Sequence, residues 1–176
     1  MQVTNSAPRV LIVEPNKNAL AVMARRVGEA GYRIIASDSA SAAVAELYRV
    51  PVDVVIAELR MDGMSGIELT RLIRDDSALK DMPVILITGR TDATGAVEGF
   101  AAGADDVVAK PFHFEVLIAR VVRRLARARS VRELRSDNAT LDARVTTRAI
   151  ELGEMRAAFA ESEAERRRLA AMVRNG

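Results

Sequence analysis

The hydrophobic positions along this chain fall into two regimes. Up to about residue 127, short β-branched apolar runs alternate with stretches of helical periodicity, the pattern of βα units around a parallel sheet. The runs lie at 10–13, 34–36, 52–57, 84–87 and 107–108. The first and fourth are continuously apolar, as is the third from Val54 on, as expected of central strands covered on both faces. Helical patterns at 19–30, 41–48, 66–74 and 91–102 separate them. Gly31 and Gly103 stand where a left-handed residue would end a helix. Five strands and five helices in strict alternation predict a doubly wound α/β domain, whose functional crevice lies beyond the C-terminal ends of its strands.

After Lys110-Pro111-Phe112 the pattern changes. Between 115 and 173 there is no Pro, Gly153 is the only Gly, and Ala, Arg, Glu and Leu dominate. One continuous helix is the simplest reading. At 1.5 Å per residue, roughly 60 residues would extend about 90 Å, far past a domain of this size. Such a helix must bury its apolar stripe against another chain. Counted in heptads from Val131, the a and d positions are Val131, Leu134, Asn138, Leu141, Val145, Arg148, Leu152, Met155, Phe159, Ser162, Arg166, Leu169 and Val173. Nine of these thirteen are apolar, which predicts a coiled coil. Asn138 at an a position fixes register and favours a parallel dimer. Arg148, Ser162 and Arg166 weaken the seam, and Gly153 costs up to ~1 kcal/mol per helix relative to Ala. The alternative is a lone, solvated, charged helix. The organisation expected is a flexible tail over 1–8, a domain over 9–127 and a coiled-coil helix over 128–174, continuous with the last helix of the domain.

Composition narrows the function classes. With 176 residues, 49% hydrophobic and 28% charged, the chain can bury a substantial core. No apolar stretch approaches the ~20 residues that span a bilayer, and positions 1–8 lack the features of a signal peptide. The absence of cysteine fits a reducing cytosol, so a cytoplasmic location is expected. A net charge of +2 and 3% aromatics, with no Trp, give little footing for nucleic acid. The arginines at 120, 123, 124, 127, 129 and 132 read as a solvated helix face. His113, the only histidine, reads as a cap or surface residue.

Each strand end carries a polar group: Glu14 after the first, Glu58 ending the third, Thr88 ending the fourth and Lys110 after the fifth. Alternating topology brings these together in one crevice, as a phosphate- or metal-linked site or as a structural ion pair. The stretches Val10-Leu11-Ile12-Val13-Glu14, Val54-Val55-Ile56-Ala57-Glu58-Leu59-Arg60-Met61-Asp62-Gly63-Met64-Ser65-Gly66-Ile67-Glu68-Leu69, Pro83-Val84-Ile85-Leu86-Ile87-Thr88-Gly89 and Gly103-Ala104-Asp105-Asp106-Val107-Val108-Ala109-Lys110-Pro111-Phe112 together resemble the receiver domain of bacterial response regulators. The resemblance covers about two thirds of the chain. It implies a flavodoxin-like fold and a site where a phosphohistidine kinase donates a phosphoryl group to an aspartate ending the third strand. Two acids after the first strand would hold Mg²⁺, and Thr88 and Lys110 would bind phosphoryl oxygens. Pro111 would follow a cis peptide bond.

Three positions depart from that pattern. Glu58 stands at the acceptor, Pro15 replaces the second acid, and Val107 occupies the place of a switching aromatic. Mg²⁺ is therefore not expected; Glu14 and Glu58 are its only candidate ligands. Glu58 reaches about one methylene further than Asp, so it is expected to pair with Lys110 and accept from Thr88, imitating the phosphorylated state. Alternatively it freezes an inactive shape. The function expected is a non-phosphorylatable pseudo-receiver on a parallel homodimeric coiled coil, a non-enzymatic interaction module for a histidine kinase or effector domain. The alternative is a working phosphoacceptor relaying a signal through the coiled coil.

Overall fold

The computed structural model describes residues 7–174, with side chains as far as Met172. Most of the 1–8 segment and the side chain of Val173 lie outside the described residues. The elements alternate as β1 (Arg9–Val13), α1 (Lys17–Glu29), β2 (Arg33–Ser37), α2 (Ala40–Arg49), β3 (Val54–Glu58), α3 (Gly66–Asp75), β4 (Val84–Thr88), α4 (Ala93–Ala101), β5 (Asp106–Ala109) and α5 (Phe114–Arg174). All strands pair in parallel, in the order β2-β1-β3-β4-β5. This is the doubly wound, flavodoxin-like arrangement that the alternation predicts.

Successive strand side chains point to opposite faces, and the core divides accordingly. Leu11, Val13, Val55, Ala57 and Leu86 pack on the layer with α2 and α3, against Leu47, Leu69 and Ile73. Val10, Ile12, Val54, Ile56, Ile85 and Ile87 pack on the other, against Met23, Val27, Leu117 and Val121 of α1 and α5. Because β1, β3 and β4 are covered on both sides, they carry no polar alternation.

Element ends differ from the hydrophobic periodicity by one or two residues, and the reason is capping. The side chain of Asn16 accepts from the amides of Asn18 and Ala19, starting α1 at Lys17. Asp92 accepts from Gly95 N–H at 2.7 Å and delays α4 to Ala93. The Asp53 carboxylate takes the Arg9 amide at 2.8 Å, and β3 begins only at Val54. Such side-chain-to-backbone bonds leave no trace in an apolar repeat.

The loop after β3 closes tightly. Gly66 N–H donates to the Leu59 carbonyl at 3.1 Å, and a Cβ at position 66 would lie 2.3 Å from the Glu58 carbonyl oxygen. Gly66→Ala is therefore expected to lower stability in urea unfolding by about 2 kcal/mol. An unchanged midpoint would mean that the loop can shift freely.

Two compact units result, Met1–Arg129 and Ser130–Gly176. In the second, α5 presents its apolar seam to solvent: Leu134, Leu141, Val145, Leu152, Met155, Phe159 and Leu169 are each more than half exposed. Val131 is half-buried, whereas Asn138, Arg148, Ser162 and Arg166 are exposed. Thr140, Thr146 and Thr147 turn their hydroxyls back onto carbonyls one turn earlier, at 2.9 to 3.0 Å.

Candidate functional site

The order of strands reverses at β1, with β2 on one side and β3 on the other, which leaves a crevice above their C-terminal ends. Glu14 enters it directly after β1, Glu58 as the last residue of β3 and Thr88 as the last of β4. Lys110 follows β5, and the Lys110–Pro111 peptide is cis. Lys110 Nζ donates to Glu58 Oε2 at 2.5 Å and to Glu14 Oε2 at 2.9 Å. The other oxygen of Glu14 accepts from the Asn16 amide at 3.0 Å. The carboxylate side chains are enclosed, at 5% and 13% exposed for Glu14 and Glu58, while Lys110 is 39% exposed.

One ammonium thus serves two carboxylates. Burial pushes the Glu58 carboxyl above its ordinary range; Lys110 pulls against that rise and Glu14 adds to it. Burial works to lower Lys110, but its bonds and charge contacts with Glu58 and Glu14 outweigh burial and hold it above its usual value. The crevice therefore keeps Lys110 charged while Glu58 retains a proton more readily than a solvated glutamate.

Thr88 does not join this pair. Its hydroxyl donates to Asp92 Oδ2 at 3.5 Å, not to Glu58 as the strand-end reading expects. The cause is local: Asp92 caps α4 only four residues further on and carries its carboxylate back to the end of β4. Asp92 also accepts from Arg60 Nε at 3.0 Å, and Arg60 Nη2 donates to Glu98 at 3.1 Å.

The donor set does not fit the Mg²⁺ that the resemblance implies. Pro15 offers no ligand, Lys110 already occupies one oxygen of each glutamate, and the Asn16 amide takes the other oxygen of Glu14. Among the described residues, no group of three or more acidic, histidine or cysteine side chains is placed to hold a metal.

Val107 is half-buried against the core on the α4 side, 3.4 Å from where a Cβ of Gly99 would stand. His113 is exposed, and its carbonyl accepts from the amides of Val116 and Leu117 at the start of α5. The arginine run is not wholly a solvated face. Arg120 and Arg124 reach Asp106, buried at the start of β5, at 2.7 and 3.2 Å. Arg74 was equally invisible to sequence reading; it donates to the carbonyls of Gly103, Lys80 and Met82 and to Asp105. These contacts depend on how elements cross, which no spacing encodes.

Glu14, Glu58 and Lys110 therefore meet at the switch point of a 2-1-3-4-5 sheet. Residues 10–122 match the Response regulator receiver domain. The chain belongs to that family. It is 36% identical over 120 residues to the Two-component response regulator PhoP of Pseudomonas aeruginosa, covering 68% of this chain and 52% of that protein. It is 33% identical over 146 residues to the Probable cyclic di-GMP phosphodiesterase of Vibrio cholerae, covering 83% of this chain and 33% of that one. The chain spans about half the length of the first curated relatives it matches. Among solved structures, the receiver fold aligns with FixJ-N at a TM-score of 0.64 and 33% identity, over 72% of this chain and 96% of that one. It aligns with the chemotaxis response regulator CheY4 of Vibrio cholerae at 0.63 and 27% identity, over 67% and 98%.

Proposed function

We propose that this receiver works without a phosphorylation cycle, as a constant-state interaction module of two-component signalling. The observation that carries the reading is the bond from Lys110 to Glu58, with Glu14 on the same ammonium. A carboxylate already stands where a phosphoryl oxygen would meet Lys110, so the crevice reaches its paired state without a donor and without a cation. Pro15 and Val107 support the same conclusion, since the metal ligand and the aromatic read-out are absent together. The bond from Thr88 to Asp92 leaves Glu58 without the hydroxyl contact that a full imitation of phosphorylation would need, and favours a fixed unstimulated shape. No residue here is assigned a catalytic step.

Incubation with acetyl phosphate and Mg²⁺, followed by intact mass measurement, tests this directly. No phosphoryl adduct is expected on the wild-type chain, and Glu58→Asp alone is not expected to restore one efficiently because Pro15 still withholds a ligand. A stoichiometric adduct on the wild type would overturn the proposal.

The module is proposed to act as a cytoplasmic homodimer through a parallel coiled coil over 128–174, presenting its receivers to a histidine kinase or an effector domain. The exposed seam of α5 supports this, because a stripe from Leu134 to Leu169 left in water opposes helix stability. No helix among the described residues is long and apolar enough to cross a membrane. Nucleic acid is not assigned as a partner, although relatives include the DNA-binding response regulator MtrA of Mycolicibacterium smegmatis. Arg120 and Arg124, two cations of the basic run, are already bound to Asp106.

One observation favours a second reading. The similarity to the Vibrio cholerae protein extends over 146 residues, further than the receiver match alone. That extent supports the helix as a relay between a receiver and an effector, and a phosphoryl adduct in the test above would select this reading.

A further inference from the structure

α4 is poorly equipped to hold its own position. It has nine residues, Ala-Thr-Gly-Ala-Val-Glu-Gly-Phe-Ala, and two of them are glycines. Glycine is the weakest helix former apart from proline, and a helix this short is marginal without tertiary support. The buried positions of α4 are Gly95 and Gly99 themselves, while Val97 and Phe100 are 69% and 52% exposed. Little apolar side chain therefore anchors it to the sheet.

Its polar ties are concentrated on one residue from another element. Arg60 lies in the loop between β3 and α3, two positions past Glu58. Its guanidinium spans Asp92, the N-cap, and Glu98, more than a turn further along. Asp92 in turn caps Gly95 through Oδ1 and receives Thr88 through Oδ2. The loop after β3, the end of β4 and the first two turns of α4 thus meet at one arginine–carboxylate cluster. The Arg60 guanidinium holds the Asp92 carboxyl below its usual range.

We propose that Arg60 is an electrostatic latch that fixes the first turns of α4, and through Asp92 the rotamer of Thr88, independently of the Glu58–Lys110 pair. The latch gives this receiver a direct tie between the acceptor loop and α4, where Val107 offers no aromatic to couple them. Being 55% exposed, Arg60 is open to salt, so the latch loosens as ionic strength rises. The inference does not depend on whether Glu58 accepts a phosphoryl group.

Hydrogen exchange on the full chain, followed by mass spectrometry at low salt, provides the test. In Arg60→Ala, amides over 93–99 are expected to exchange on the order of fivefold faster, with β1, β3 and β4 unchanged. Asp92→Asn, which keeps an N-cap acceptor but loses the charge, should show the same local change. Raising salt to ~0.5 M should speed α4 exchange markedly in the wild type and only weakly in Arg60→Ala, where Asp92 still caps the helix but the arginine tie is gone. Unchanged α4 exchange in Arg60→Ala, or an equal rise across the whole domain, would overturn the latch. So would a salt response in that variant as large as in the wild type. A phosphoryl adduct on the wild-type chain would end the proposed function and leave this inference standing.

Discussion

Replacing Lys110 by Met is expected to lower the stability of the receiver by about 2 kcal/mol at neutral pH, below the ~3–5 kcal/mol of a fully buried pair because Lys110 is 39% exposed. The loss arises from Glu14 and Glu58, two enclosed carboxylates left without their shared ammonium. Its pH dependence separates this cause from simple packing. Burial raises Glu58 in the folded chain, so between its ordinary and its raised value the folded state binds more protons than the unfolded state. Stability contributed by Glu58 is complete below the ordinary value and is lost as pH rises through the raised one. The deficit of Lys110→Met should therefore shrink on acidification, as Glu58 takes a proton and no longer needs the cation. At the alkaline end, Lys110 is raised as well, and its contribution is lost only as pH climbs through that raised value. Urea titrations of wild type, Lys110→Met and Glu58→Gln across the acid range measure all of this. A Lys110→Met deficit that is flat with pH would point to lost packing of the lysine stem and not to charge.

The other large effect is expected in the helix. Leu141→Glu combined with Leu152→Glu places carboxylates at facing d and a positions of the proposed seam, removing four apolar side chains per dimer. Dimerisation should weaken by at least a hundredfold, equivalent to roughly 3 kcal/mol, and the full chain should sediment as a monomer at micromolar concentration. Gly153→Ala lies off the seam and should act in the opposite direction, by up to ~1 kcal/mol per helix. If the wild-type chain is already monomeric at those concentrations, the coiled coil is wrong and the solvated-helix alternative stands.

The fold was legible because burial on both faces of a parallel sheet leaves a strong one-dimensional record. Val10-Leu11-Ile12-Val13 and Val84-Ile85-Leu86-Ile87 have no polar alternation since none of their side chains meets water. Most of the crevice was legible for a related reason: strand ends at a switch point converge whatever loops connect them, which brought Glu14, Glu58 and Lys110 together. Thr88 was misjudged because its partner is the cap of the next helix, and a cap is a choice made by one side chain in three dimensions. The same holds for Arg60, Arg74, Arg120 and Arg124. Arginine side chains are long, and which carboxylate or carbonyl each one meets depends on helix placement.

What the sequence determined by itself is the layered α/β receiver, the long C-terminal helix and the glutamate that ends β3 at position 58. Each follows from local residue identity or from periodicity, which chain order preserves. Only the tertiary structure decided that Lys110 divides its charge between two glutamates, that Thr88 turns to Asp92, and that Arg60 ties the acceptor loop to α4. Those outcomes are competitions among polar groups for a few partners, resolved by distances of a few ångströms between elements far apart in the chain.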